Sequence, residues 1–355
     1  MENSETSILV TGVGFGSLGR ELIKSFKMAS HKYKIIATDK LPHSIGLFET
    51  ENRFVIPESS SDDYLDTLLK ICKKENVQVL APGSEPEIEK ISKNMKIFEE
   101  IGVKTLLNPW NVIEKCIDKF DLMNFLKNKN LPHPKFFLHE HDSDVNKVES
   151  YPVIIKPRTG SGSRNVFIAQ DEEELIFFTN YLKKYGFEPL VQEYIGDHEE
   201  EYTIGILYAD NGKLHTSIAM KRILSAGLST KQILTSPKTN KKYAISSALS
   251  QGTFENFKEI RSMAEKFAKA LNANGPLNIQ CRKTDSEIIP FEINPRFSAT
   301  TAARSLIGCN EPDIFCRYSL FKEIPEKTDY QFGYVMRDVN EKYISFNDVK
   351  NIPRI

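Results

Sequence analysis

The hydrophobic positions of the first 108 residues fall in short runs, at Ile8–Val10, Ile35–Ala37, Val77–Ala81 and Val103–Leu107. Runs of this length, bounded by polar residues, predict buried parallel strands. Between them the period changes. From Asp62 to Glu75, Leu65, Leu69 and Cys72 recur at helical spacing and predict an amphipathic helix. Strands alternating with helices over short connections predict an α/β, doubly wound sheet that ends near Asn108.

Asn108-Pro109 breaks this pattern. A helix is predicted next, with Ile113, Cys116, Phe120 and Met123 at three- and four-residue spacing, until Leu131-Pro132-His133-Pro134 stops it. This gives a first domain over residues 1–108 and a bridge over 109–134. Residues 135–195 read as a small αβ unit, with strands at Lys135–Leu138, Val153–Lys156, Asn165–Ala169 and Leu190–Tyr194. Its helix covers Asp171–Tyr185, with acids in the first turn where they suit the dipole. Over residues 196–355 strands dominate, at Tyr202–Tyr208, His215–Met220, Asn278–Arg282 and Glu287–Ile293, giving α+β character. One helix interrupts them, with Phe257, Ile260, Ala264, Phe267 and Leu271 on one face. The last 45 residues carry no readable motif.

Composition narrows the class. The chain has 355 residues, 40% hydrophobic and 27% charged, enough for two or three compact domains. Its net charge of −1 supplies no basic field to draw it to nucleic acid or a membrane. Five cysteines, none in a CxxC pair, argue against a disulfide framework or zinc site and fit a reducing cytosol. The segment Met1–Val10 lacks the basic and apolar regions of a secretory signal, and no apolar stretch approaches the ~20 residues of a membrane span. A cytoplasmic protein is expected.

Two regions carry candidate chemistry. Near the start, Gly14, Gly16 and Gly19 match G-x-G-x-x-G between a strand and a helix, and Asp39 ends the following strand. Such a loop lets the backbone approach a pyrophosphate while the acid holds a ribose. Any tight strand-to-helix turn can use the same glycines, so taken alone a nicotinamide site and a structural turn stand equal.

The second region is richer. A buried strand delivers Lys156, and Pro157-Arg158-Thr159-Gly160-Ser161-Gly162-Ser163-Arg164-Asn165 follows at once. Such a loop can close over phosphates with backbone N–H groups and hydroxyls. Lys156 would add a point charge, and Arg158 or Arg164 a planar fork. The lysine precedes the glycines, so this is not a Walker A loop. A solvated hairpin turn flanked by basic residues is the plain alternative. Next comes Leu190–Gly196, where Glu193 can accept from an exocyclic amine with the Tyr194–Ile195 backbone facing the ring, and Glu201 can accept from ribose hydroxyls. Glu199 and Glu200 read as a solvated acidic run. Last, Glu292 and Asn294 share one strand face, as do Asn278 and Gln280 of the Asn278–Arg282 strand. Two adjacent strands can present four such side chains to one magnesium ion, with Arg296 two residues further along.

At these residues the chain resembles the ATP-grasp superfamily, and within it members similar to the synthetase halves of carbamoyl-phosphate synthase and to stand-alone carboxylate–amine ligases. The resemblance runs from Ile8 to Gly308 and rests on Val153–Val166, Val191–Ile195 with Glu199–Ile206, Gly275–Gln280 and Phe291–Arg296 in this order. It implies an ATP-grasp fold with an N-terminal Rossmann-like domain, whose glycine loop helps bind substrate instead of NAD. It implies that Lys119 and Lys156 contact ATP phosphates and that Thr159–Asn165, with Gly160, Ser161, Gly162 and Ser163, forms a lid. Glu193, Tyr194 and Ile195 would frame adenine and Glu201 hold the ribose. Gln280, Glu292 and Asn294 would bind magnesium, or manganese in its place. Arg296, with Lys156 and Arg282, would serve catalysis. Many members carry an acid where Gln280 stands; glutamine also occurs there in the carbamoyl-phosphate branch.

The reaction so implied phosphorylates a small-molecule carboxylate, couples it to an amine, and releases ADP and phosphate. A homodimer is the assembly allowed for. A kinase of the same fold, an NAD-dependent dehydrogenase using the first glycine loop, and a nucleotide-binding module without turnover are the alternatives.

Overall fold

In the computed structural model, which describes residues 5–209, 212–225, 227–237, 239–323 and 330–355, β1 (Thr6–Thr11) is buried along its whole length. β1 sits at the centre of a parallel sheet, where both faces are covered, and Ile8–Val10 supply the apolar run such a strand favours. With β2 (Tyr33–Asp39), β3 (Asn52–Val55), β4 (Val79–Ala81) and β5 (Lys104–Thr105), the order is β3-β2-β1-β4-β5. Helices α1 (Leu18–Lys27), α2 (Tyr64–Lys74), α3 (Glu85–Ser92) and α4 (Met95–Glu99) connect the strands. Ser17 caps α1 by accepting from the Arg20 N–H. The buried face of α2 is Tyr64, Thr67, Leu68, Ile71 and Cys72, so Leu65 and Leu69 lie at its edge and the expected face is rotated.

The bridge is two helices, not one. Asp118 is extended and caps the second, its Oδ1 accepting from the N–H groups of Phe120 and Asp121. This breaks the run into α5 (Trp110–Ile117) and α6 (Lys119–Asn128) and sets Lys119 at the first position of α6. Then β6 (Phe136–Leu138), β7 (Val153–Pro157), β8 (Phe167–Ala169) and β9 (Pro189–Glu193) form a four-stranded sheet in the order β6-β9-β7-β8. It is backed by α7 (Glu172–Lys184), which Asp171 caps.

The remaining chain builds a six-stranded antiparallel sheet, β16-β15-β10-β11-β14-β17. Its strands are β10 (Glu201–Ala209), β11 (Lys213–Arg222), β14 (Gly252–Phe254), β15 (Pro276–Lys283), β16 (Ile288–Asn294) and β17 (Gly333–Val335). Between β11 and β14 a separate hairpin, β12 (Thr230–Thr235) and β13 (Lys242–Ser246), leaves the sheet. Helix α8 (Lys258–Ala270) packs Ile260, Ala264 and Phe267 on one face of the sheet. On the other, α9 (Thr301–Leu306) and α10 (Glu311–Phe321) meet α1, and a short α11 (Phe346–Lys350) follows β17.

Three polar contacts fix how the sheets sit together. Asn108, fully buried, donates to the carbonyls of Pro276 and Pro295 at 2.7 and 3.2 Å and accepts from the Asn274 N–H. Arg296 pairs with Glu85 at the start of α3, 2.7 Å apart. Arg337, in the segment without motifs, joins Glu21 of α1 at 3.0 Å to the carbonyl of Ser250 and the side chain of Gln251.

Candidate active site

Between the small sheet, the β12–β13 hairpin and the β15–β16 pair lies a cavity of about 550 Å3. Lys119, Lys156, Gly160, Ser161, Ser163, Glu193, Tyr194, Ile195, Glu201, Gln280, Arg282, Glu292 and Asn294 line it, so residues spread over 176 positions of sequence meet there. Of the expected site residues, Gly162 and Arg296 line the small pocket that adjoins it.

Lys156 projects from β7 and is buried. Its Nζ donates to Gln192 Oε1 at 2.7 Å and to the Phe291 carbonyl at 3.2 Å. That carbonyl is free because Phe291 is the extra residue of a β-bulge: Gln280 pairs with Glu292, but Cys281 pairs with Pro290. Burial pushes the Lys156 ammonium down to about 7, against the pull of Glu292. Lys119 donates to the Gly160 carbonyl at 2.5 Å, and burial lowers its ammonium too, opposed by Glu292, Glu85 and Asp118.

The loop Thr159–Asn165 bends through four left-handed residues, Gly160, Gly162, Ser163 and Asn165. Ser163 ties it to the hairpin, donating to the Ser246 carbonyl at 3.2 Å, while Lys231 donates to the Ser163 carbonyl. Arg164 lines the cavity. Arg158 instead faces outward, bound to Asp118 at 2.6 Å with Asp121 and Glu188 nearby. It does not offer the phosphate fork considered for it.

At the opposite end, Tyr194 carries the Arg282 guanidinium over its ring at 4.3 Å and hydrogen-bonds Ala244 of the hairpin. Arg282 also donates to the Ile195 carbonyl at 3.1 Å and pairs with Glu201 at 2.9 Å. Glu201 is 0% exposed and has Arg222 3.2 Å away on its other oxygen. Both residues thus belong to the cavity wall as one ion-paired network. Glu201 does not stand free for a ribose, and Arg282 is engaged in holding the Tyr194–Ile195 backbone. Glu200 turns elsewhere, to Lys221 and the Tyr202 hydroxyl. The Glu193 carboxylate accepts from the Lys135 N–H.

At the β15–β16 pair, Gln280 donates from Nε2 to Glu292 at 2.7 Å, and its Oε1 accepts from Arg222 at 2.9 Å. Its oxygen is therefore turned away from Glu292, which departs from the expected metal-ligand role. Asn278 likewise spends its oxygen on Thr203 and Arg304, the latter paired with buried Glu311. Asn294 is buried, and its Nδ2 has no hydrogen-bond partner among the described residues. Turning that amide by 180° exchanges its oxygen and nitrogen. Glu292 with Asn294 is thus a hard-oxygen pair that fits magnesium, which takes one or two such groups and completes its shell with phosphate and water.

Residues 116–300 match the family model described as the ATP-grasp domain. The chain belongs to the ATP-grasp family. Residues 8–106 match the PylC-like N-terminal domain, so the parallel sheet and the ATP-grasp part are recognised separately. The carbamoyl phosphate synthase large chain of Clostridium perfringens (strain SM101) is 24% identical over 271 residues, covering 74% of this chain and 24% of that one. That of Thermotoga neapolitana is 25% identical over 315 residues, covering 86% and 27%. The chain spans about a quarter of the length of these curated relatives. Among solved structures, the biotin carboxylase domain of the Hydrogenobacter thermophilus 2-oxoglutarate carboxylase, in complex with MgADP, ADP and bicarbonate, aligns with TM-score 0.63. It is 16% identical and covers 93% of this chain and 73% of that one. D-alanine–D-alanine ligase from Bacillus anthracis aligns at 0.58 and 16% identity, covering 89% and 97%. These likenesses establish the ATP-grasp fold.

The glycine loop near the start has a packing reason for two of its glycines. A Cβ on Gly19 would stand 2.3 Å from the Thr11 carbonyl, and one on Gly12 would stand 2.5 Å from Glu87. Sequence reasoning missed Gln192, Arg222 and the Ala244–Ser246 wall of the cavity. Gln192 stands beside the singled-out Glu193. Arg222 ends β11 two residues after its apolar run Ile218–Met220, and the strand's mixed polarity conceals that this arginine is buried. All five cysteines are buried free thiols. No helix among the described residues is long and apolar enough to cross a membrane.

Proposed function

We propose that the chain is an ATP-dependent carboxylate–amine ligase: it transfers the γ-phosphoryl of ATP to a carboxylate and lets an amine displace phosphate from the acyl phosphate. The observation that carries this reading is the convergence of Lys119, Lys156 and the glycine loop on the Glu292–Asn294 pair within one cavity.

Lys156 and Lys119 bind the phosphates, and the Thr159–Asn165 loop closes over them and excludes water. The Tyr194–Ile195 backbone, propped from below by Arg282 and Glu201, frames the adenine with Glu193; the ribose lies above the buried Glu201. Glu292 and Asn294 hold magnesium, which when bound neutralises charge on the transferred phosphoryl. Gln280 would join them only by giving up Arg222. Arg296, anchored on Glu85, orients the acid. Catalysis comes mostly from positioning and charge. The site's residues match the reaction implied by the family, but fold does not fix the substrate.

The test is a screen of acids and amines in pairs for phosphate release, with magnesium and ATP. Release that needs both an acid and an amine supports the reading. Release with an alcohol or amide acceptor and no second substrate would replace it with a kinase.

A further inference from the structure

Helix α7 presents a band of large rings on its outward face. Phe177, Tyr181 and Tyr185 recur every fourth residue and are 64%, 39% and 59% exposed. On a helix this spacing makes one stripe. The opposite face, with Leu175, Thr179 and Leu182, is buried. The rings are held before anything docks. Phe177 meets Phe178 edge-on at 5.4 Å, Phe178 stacks on Phe167 of β8 at 4.5 Å, and Tyr181 meets Phe167 at 5.7 Å. Rings fixed in this way lose little freedom on binding. Closing the glycine loop over a nucleotide leaves them bare, because α7 and the cavity lie on opposite faces of the small sheet. Val153, Ile155 and Val191 face α7, and Ile154, Lys156 and Gln192 face the cavity.

Charge is ordered along the same face. Glu173 stands one turn before Phe177 and Lys184 one turn after Asn180, and all four are exposed. Neither charge has an ion-pair partner among the described residues. The end charges suit the helix dipole, but the rings between them gain nothing from it. We propose that this stripe is an interface between two copies of the chain, packed with their α7 helices antiparallel about a dyad. A dyad passing between Phe177 and Asn180 sets Glu173 opposite Lys184 of the second copy, and Phe177 against Asn180 and Tyr181 of that copy. The contact is isologous, so each pair forms twice. Acid, ring and base in this order along one helix are complementary to the same helix reversed, which favours a second copy over an unrelated partner. Size limits the strength. A 13-residue helix is about 20 Å long. An interface confined to it stays below the ~1,200 Å2 of a stable complex, so the dimer is a weak one that forms as concentration rises. Both cavities stay open, on the far side of each small sheet from the dyad.

Sedimentation velocity of the full chain, from about 1 μM to 1 mM, reads the association. The wild type shifts from monomer to dimer across this range. Phe177→Glu weakens the dimer about tenfold or more. So does either single reversal, Glu173→Lys or Lys184→Glu, because each sets like charges together at two points. Combining the two reversals restores the dimer, since the same pairs form again with their signs exchanged. If Phe177→Glu does not fold, the charge series decides. A wild type that stays monomeric at about 1 mM overturns the proposal. So does a dimer indifferent to Phe177→Glu, or one weakened by the single reversals that the double reversal fails to restore.

Discussion

Lys156 on β7 donates to Gln192 on the neighbouring β9 at 2.7 Å, so a buried ammonium is held by a neutral amide. Its second partner, the Phe291 carbonyl, is also neutral. A close ion pair would have offset the cost of burying this charge; here burial, aided by the Lys119 charge, outweighs the pull of Glu292 and pushes the group down to about 7. The lysine is thus poised to take up a proton when an anion arrives.

ATP binding is therefore expected to take up a proton at about pH 8, because bound phosphates raise the lysine again. Affinity rises as pH falls from about 9 toward 7. Calorimetry in two buffers of different ionisation heat reads the uptake directly. Without ligand the sign reverses for stability. The folded value lies below the free one, so the lysine costs nothing above about pH 10.4, and its cost grows as pH falls to about 7. Replacing Lys156 by Met should weaken ATP about 10- to 100-fold, the loss of ~1.5–3 kcal/mol for a charged hydrogen bond, while raising apo stability at neutral pH.

Glu292→Gln or Asn294→Ala should raise the magnesium needed for nucleotide binding about tenfold or more, since one of two protein ligands is lost. A magnesium titration monitored by thermal shift with ADP measures it. Gln280→Ala should shift the titration far less, because Gln280 spends its oxygen on Arg222. Superimposable curves for all three variants would remove the metal site from these residues.

Much of this was legible because each strand announces its own period. The parallel strands β1 and β2 read as continuous apolar runs, and the order of motifs along the chain gave the family. What escaped notice depends on long-range contacts. Asp118 breaks the bridge into two helices by bonding its own following backbone, a cap that the apolar spacing of Ile113 through Met123 conceals. β12 alternates exposed with half-buried residues and is polar enough to read as loop, while β13 buries only its last three residues, Ala244–Ser246. Arg337, in a stretch without motifs, finds Glu21 more than 300 positions away. The burial of Glu201 is set by Arg222 and Arg282, which arrive from two other strands and leave no trace in its own stretch of sequence.

That network makes a stability prediction. Glu201→Gln leaves two buried guanidiniums without their carboxylate and should cost ~3–5 kcal/mol, as for breaking a buried pair. Chemical denaturation gives the value. A loss within about 1 kcal/mol, together with weaker ATP binding, would instead put Glu201 on the ligand, since the median solvent-exposed pair contributes no more than that.

The first glycine loop should not bind NAD. Gly19→Ala brings a methyl to 2.3 Å from the Thr11 carbonyl and should destabilise the parallel sheet by ~1–3 kcal/mol. Gly14 has room for a Cβ, with Ser44 and Asp39 no nearer than 3.7 Å. Gly14→Ala therefore keeps the fold and tests the ligand alone. Saturable micromolar NAD binding, lost in that variant, would revive the dehydrogenase reading.

Turnover should yield ADP and inorganic phosphate, not AMP and pyrophosphate. Lys119 and Lys156 line the same cavity as the glycine loop, Lys119 bonded to its Gly160 carbonyl, and both feel the charge of Glu292. Phosphates held by the two lysines and the loop are the ones an adenylating enzyme would need to release. On the proposed reading the terminal phosphorus would lie beside Glu292 and Asn294, open to an acid oriented by Arg296. With the acid alone, hydroxylamine should trap the acyl phosphate as a hydroxamate, at a rate that falls in Lys156→Met and in Glu292→Gln. Stoichiometric AMP would reverse the assignment of which phosphates the lysines hold. ADP formed at full rate with no hydroxamate would mean that the activated product is not an acyl phosphate, and would turn the site into that of a kinase.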